Sequence, residues 1–171
     1  MIICLLECDE MKYVWKDYNP FEMMVVEEWL DAEAVKKTGL DDGWRDLYEY
    51  WLNEANTVIG ENYWRKVVFE NEMPFAVVAL GVNEEIYNVM ELVVNPKEHG
   101  KGKVASLIKE LIDDSIEITG KEIISAEAVI YPSNPASKRA FEKAGFKLNR
   151  AHEDGDTLYY EYTRAKHTAE L

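Results

Sequence analysis

Val93-Val94-Asn95-Pro96-Lys97-Glu98-His99-Gly100-Lys101-Gly102-Lys103-Val104-Ala105 is the stretch on which the reading of this 171-residue chain turns. An apolar run ends, an Asn-Pro turn intervenes, and two glycines one residue apart lead into a segment of helical period. Val104, Leu107, Ile108, Leu111 and Ile112 mark one face of a helix expected over residues 100–119 and closed by Gly120. Glycines at such a start let the main chain approach a ligand closely. The free N–H groups of the first turn, with the helix dipole, then form a site for an anion. Lys101 and Lys103 add positive charge beside it. A glycine loop needed only for the turn would read the same way, so the flanking segments have to decide.

Gly100, Gly102 and Ala105 also meet the loose G-x-G-x-x-A spacing of dinucleotide-binding folds, with Glu122 about 20 residues on. The context opposes that reading. Upstream, residues 63–70 and 75–82 form a hairpin pattern around Asn71-Glu72-Met73-Pro74, and 86–94 continues it after Asn83-Glu84-Glu85. The strand before the loop therefore belongs to an antiparallel meander, and too little chain follows for a doubly wound parallel sheet.

Downstream, residues 122–130 are an almost continuous apolar strand, the pattern of one covered on both faces. Asn134-Pro135 caps and opens a short helix over 134–144 that stops at Gly145. Residues 146–151 and 157–163 read as a final hairpin. Near the N-terminus, 2–6 and 12–16 read as short strands. Helical patterns follow over 19–33 and 41–54, the second carrying Trp44, Leu47, Tyr48, Trp51 and Leu52. The expected fold is α/β (α+β): a mixed, mostly antiparallel sheet flanked by helices, with one parallel strand–helix–strand crossover. Residues 1–171 are expected to form a single domain.

Composition sets the outer bounds. Hydrophobic residues at 47% and charged residues at 30% suit a globular chain that buries its own core. No apolar run approaches the roughly 20 residues of a membrane span. Cys4 and Cys8 have no distant partners, so neither a disulfide framework nor a zinc site is expected. A cytoplasmic protein without metal follows. The net charge of −14 opposes binding to nucleic acid. Residues 1–99 hold 21 acids and 8 bases, whereas 100–171 hold 12 acids and 11 bases. That asymmetry suits an anionic ligand on one side and a cationic one on the other, although solubility alone also accounts for it.

Taken together, the loop around Gly100 and Gly102 and the segment Asn134-Pro135-Ala136-Ser137-Lys138-Arg139-Ala140-Phe141-Glu142-Lys143-Ala144-Gly145-Phe146 resemble the acetyl-CoA-binding core of the GNAT acetyltransferases. The resemblance covers about residues 63–163. The second segment and the closing Asp154-Gly155…Tyr162-Thr163-Arg164 look most like the aminoglycoside 6′-N-acetyltransferases; acetyltransferases of ribosomal proteins and other small amines look nearly as close.

The resemblance implies roles. Main-chain N–H groups of Gly100 to Val104 would cradle the diphosphate of coenzyme A, with His99, Lys101 and Lys103 beside it. Leu92, Val93 and Val94 would pair with the pantetheine arm as an added strand does. A bulge would splay this strand from 122–130, leaving the thioester in the gap. Asn134 would bind the pantetheine arm, near Ser137 and Phe141. Three positions depart from the pattern. His99 replaces an Arg or Gln, Val104 replaces a small residue, and Phe141 replaces the Tyr that protonates the leaving thiolate. Tyr131, Ser137 or solvent is left to supply that proton.

Transfer needs a neutral amine, hence a proton acceptor. Glu91, in an otherwise apolar strand, is the first candidate base; Glu127, between Ala126 and Ala128, is the second. Each is equally readable as a structural acid paired with a cation. Residues 1–60 would form the acceptor side, where 17–54 carry 11 acids against Lys36, Lys37 and Arg45. The expected activity is acetylation of a small cationic amine. Its rivals are acetylation of a protein or peptide amine and a non-catalytic module that only binds coenzyme A. A homodimer is expected along an open sheet edge.

Overall fold

The computed structural model describes residues 12–17, 28–29, 63–83, 86–151 and 155–164. Cys4, Cys8, the expected strand 2–6, nearly all of the two N-terminal helical patterns and Asp154 lie outside them. Glu28 and Trp29, which fall in the first of those patterns, form a turn.

Among the described residues, seven strands form one sheet in the order β1-β2-β3-β4-β5-β7-β6. They are β1 (Val14–Asp17), β2 (Tyr63–Glu70), β3 (Met73–Asn83), β4 (Ile86–Val94), β5 (Ser125–Ile130), β6 (Lys147–Ala151) and β7 (Leu158–Thr163). Only β4 and β5 run parallel; every other neighbouring pair is antiparallel. The crossover between β4 and β5 carries a 3-10 turn (Pro96–Glu98) and two helices, α1 (Lys103–Asp113) and α2 (Ser115–Thr119). Helix α3 (Pro135–Lys143) lies between β5 and β6. The mixed, mostly antiparallel sheet with one parallel crossover is therefore the architecture that the sequence pattern implies.

The β2–β3 turn is tighter than expected. Asn71 and Glu72 both take positive φ, 50° and 65°, which matches the right-handed twist of the strands it joins. Pro74 falls inside β3 rather than in the turn. Val68 pairs with Ala76 and Phe69 with Pro74, leaving Phe75 as a bulge, where a residue without an N–H is tolerated.

The expected helix 100–119 is also revised. It starts at Lys103, because Gly100 and Gly102 take φ of 76° and 74°, outside the right-handed helical region. It then breaks at Asp114 (φ −103°, ψ 22°) into α1 and α2. Residues 122–124 are not in a strand. The Ser115 hydroxyl takes the Ile123 N–H at 2.9 Å and holds that segment against α2, so β5 begins at Ser125.

Alternation along the strands divides the core in two. Val68, Ala76, Val78, Ala126, Ala128, Ile130 and Tyr160 pack with Leu107, Ile108, Leu111 and Ile112 of α1 and Phe141 of α3. Val67, Phe69, Val77 and Val93 point to the other face and pack with Trp29. The Glu110 carboxylate fixes the start of β1 to α1. It accepts the N–H groups of Lys12 and Tyr13, at 2.8 and 3.0 Å, and the indole N–H of Trp15 at 2.9 Å.

Candidate active site

The site is built on the place where β4 and β5 part. Their pairing runs from Ile86↔Ser125 to Val89↔Ala128 and goes no further. Against β3, β4 shifts register between Leu80↔Val89 and Ala79↔Glu91, so Met90 is a bulged residue. Bulges bend the strand that carries them, and the divergence begins here.

The Asn95 N–H donates to the Phe75 carbonyl at 2.9 Å, extending the register Val94↔Ala76 and Val93↔Val77. Bonded and unbonded pairs alternate along an antiparallel ladder. Glu91 and Val93 therefore aim their N–H and C=O groups at β3. Leu92 and Val94 aim theirs the other way, into the interval that β5 has left. The Val94 carbonyl there accepts from His99 Nε2 at 3.0 Å, which fixes that nitrogen as the protonated one.

Next to the interval lies the loop that starts α1. The Asn95 Oδ1 caps the turn by accepting the Lys97 N–H at 3.0 Å, and its amide donates to the Pro74 carbonyl at 3.2 Å. Among the described residues no side chain caps the first turn of α1, which leaves its orphan N–H groups ready for an anion. A Cβ built on Gly100 or Gly102 would meet nothing within 4 Å. These glycines are required by backbone conformation rather than by crowding. Val104, which departs from the small residue of the acetyltransferase pattern, turns into the main core.

Both lysines of the loop are held by carboxylates. Lys101 Nζ lies 3.0 Å from Glu98, while Lys103 Nζ lies 2.7 Å from Glu98 and 2.5 Å from Glu70. Glu70 also meets Lys12 at 3.2 Å. Lys103 holds the Glu70 and Glu98 carboxyls below their ordinary range, with smaller contributions from Lys12 and Lys101 respectively. The Lys103 ammonium is raised above its own range by Glu70 first and Glu98 second.

Helix α3 follows β5, the other strand of the interval. Asn134 Oδ1 accepts the Ser137 N–H at 3.1 Å, as an N-cap does. At the other end the Phe146 N–H donates to the Phe141 carbonyl at 3.0 Å and the Gly145 N–H to Glu142 at 3.1 Å. This is a Schellman stop, with Gly145 at φ 100°. Phe141 is 4% exposed and belongs to the main core. Tyr131, just past the end of β5, is 41% exposed.

The two candidate bases sit differently. Glu91 follows the bulge directly and is level with Ala79 and, one strand further, with Arg65; its side chain lies outside those described. Arg65 is 7% exposed, a buried cation in the candidate base's own row. Next to Lys66 in a strand that ends on Glu70, Arg65 has no sequence feature that marks it as the buried one. Glu127 pairs across β5–β7 with Glu161 and lies 3.5 Å from Arg150. Glu70, 33 residues from Lys103, gave no local signal at all.

Among the described residues, no group of three or more His, Cys, Asp or Glu is placed to hold a metal ion. Likewise no helix among them is long and apolar enough to cross a membrane.

Comparison with solved structures finds the same fold at low identity. The chain matches an aminoglycoside acetyltransferase AAC(6')-Ib in complex with coenzyme A (TM-score 0.70, 19% identity, covering 89% of this chain and 95% of that one). It also matches the spermidine N-acetyltransferase from Vibrio cholerae in complex with CoA and spermine (0.69, 14%, 89% and 95%). The Campylobacter jejuni N-acetyltransferase PseH is a third (0.64, 15%, 90% and 99%). No curated protein matches. The Acetyltransferase (GNAT) family matches over residues 22–146, from the acidic N-terminal part through the loop at Gly100 and Gly102 to the Gly145-Phe146 stop. The chain belongs to that family and is an acetyl-CoA-dependent N-acyltransferase.

Proposed function

We propose that this protein transfers acetyl from acetyl-CoA to the primary amine of a small cationic acceptor, by direct attack assisted by a carboxylate base. The observation that carries the reading is the interval between β4 and β5, into which Leu92 and Val94 turn their main-chain groups beside the uncapped start of α1. The donor fits these residues. Leu92 and Val94 offer a strand edge to its amide arm, and the N–H groups from Gly100 to Val104 offer a seat for its diphosphate. Asn134, whose oxygen caps α3, retains its amide N–H groups for the same arm.

Bound acetyl-CoA supplies the activated acyl group. Glu91 accepts the amine proton, from a position one residue past the bulge and level with the buried Arg65. Glu127, with Arg150 nearby, suits a structural role better. Tyr131, exposed at the end of β5, is the phenol best placed by the chain to return a proton to the departing thiolate; Ser137 is the hydroxyl alternative.

The acidic excess over residues 17–54 supports a cationic acceptor. Two matched structures hold coenzyme A with kanamycin or with spermine, both polycationic amines. We further read the protein as cytoplasmic and free of nucleic acid and membrane, with a homodimer along the exposed β6 edge. Thiol release from acetyl-CoA against a panel of aminoglycosides, polyamines, neutral amines and peptides tests the acceptor. Polycationic amines should stimulate release most. Stimulation by neutral or acidic amines alone removes the cationic acceptor, and stimulation by peptides alone transfers the activity to chain termini or lysines.

A further inference from the structure

We propose that Glu70, at the end of β2, is a positioning residue for the diphosphate seat, and that Lys103 is the strut through which it acts rather than a phosphate ligand. The inference rests on the reading of the α1 start as that seat. Five side chains form one ionic chain: Lys12, Glu70, Lys103, Glu98 and Lys101, with successive separations of 3.2, 2.5, 2.7 and 3.0 Å. The chain links the residue before Tyr13, the end of β2, the first residue of α1, the 3-10 turn and the loop between the two glycines.

Chemistry and geometry agree on the strut. The Lys103 ammonium has a carboxylate oxygen on two sides, and the Glu70 side chain is only 12% exposed. Glu70 meets a second cation in Lys12, so its charge is shared rather than free to be displaced. The segment from Glu98 to Lys103 includes Gly100 and Gly102, both at positive φ with open space around them. No side-chain contact of the glycines can fix their conformation. The ion pairs at either end hold the segment, and the main-chain N–H groups between them then do the binding.

Isolated surface pairs contribute little to global stability, so the expected effect is local. Kinetics and direct titration of coenzyme A should be measured for Glu70→Gln and for Glu98→Gln, which removes the other carboxylate on Lys103. The probes are acetyl-CoA and acetyl-pantetheine, which lacks the diphosphate. Both variants should raise KM for acetyl-CoA by about three- to fivefold, the range that a partly shielded strut supports. KM for acetyl-pantetheine and kcat should stay as in the parent.

A fall in KM for acetyl-CoA would mean that Lys103 had been released onto the phosphates, and would overturn the proposal. Unchanged KM in both variants would also overturn it, as would an equal rise for both donors, which marks general loosening. Failure of the unaltered protein to bind coenzyme A, or equal KM for the two donors there, would instead remove the underlying reading of the α1 start.

Discussion

Phe141 and Phe146 meet edge to face, with ring centroids 5.0 Å apart and planes at 90°. They are the two apolar partners of the Schellman stop that ends α3. Tyr162 tilts against Phe146 at 5.6 Å, and its ring lies 3.6 Å from where a Cβ on Gly145 would stand. Phe141, which the resemblance put in the place of a tyrosine, therefore has a packing role that owes nothing to proton transfer. Phe141→Ala should lower stability by about 3–5 kcal/mol, read from denaturant unfolding. Because the rings share one contact, Phe146→Ala should couple with it rather than add.

Glu91→Gln keeps the shape of the side chain and removes its basicity. Turnover should fall by about two orders of magnitude or more, and the acidic limb of the pH–rate profile should flatten. Unchanged kcat across pH would exclude Glu91 as the base. Glu127→Gln in parallel should change kcat little and serves as the control.

Gly102→Ala adds no clash, since nothing lies within 4 Å of the new Cβ, yet it places an L-residue at φ 74°. The strain of about 1–2 kcal/mol should appear as local loosening of the loop and a rise in KM for acetyl-CoA. Equilibrium unfolding and donor titration together measure it.

The ionic chain makes acid stability testable. The folded-state pKa of Glu70 lies below its unfolded value, chiefly through Lys103. The stabilisation it gives is present above the unfolded carboxylate range and is lost as pH falls through the folded value. Glu70→Gln should therefore lower stability only slightly at neutral pH, as a surface ion pair does, and have progressively less effect towards acid, in urea titrations at several pH values.

Tyr160 acts at the other extreme. Burial, then its hydrogen bond to Glu142 at 3.0 Å, raises the phenol above its ordinary range. Unfolded chains lose this proton first as pH rises, so stability should decline above about pH 10. Tyr160→Phe should show a shallower alkaline decline while losing little at neutral pH.

Sequence alone determined the elements whose cause is local. The Asn134 cap and the Gly145 stop follow from what single residues allow the backbone to do, whereas the left-handed turns at Gly100 and Gly102, which move the helix start to Lys103, were not read from the sequence. The alternating apolar runs likewise required an antiparallel meander; the strand after the crossover, read as covered on both faces, is buried only through Ala126, Ala128 and Ile130, while Val129 on its other face is 52% exposed. A resemblance carried by those same residues led to the acetyltransferase family, which the match over residues 22–146 bears out.

Tertiary structure decided what depends on residues far apart in the chain. The bulge at Met90 and the end of pairing at Val89 arise from the register of three strands. The capture of Lys103 by Glu70 joins positions 33 residues apart, and the helix break at Asp114 accompanies a bond from Ile123 to Ser115. Local preference is written in each residue's own conformational limits. Which charge meets which, and which main-chain groups are left without a strand, is settled only when the sheet closes around its core.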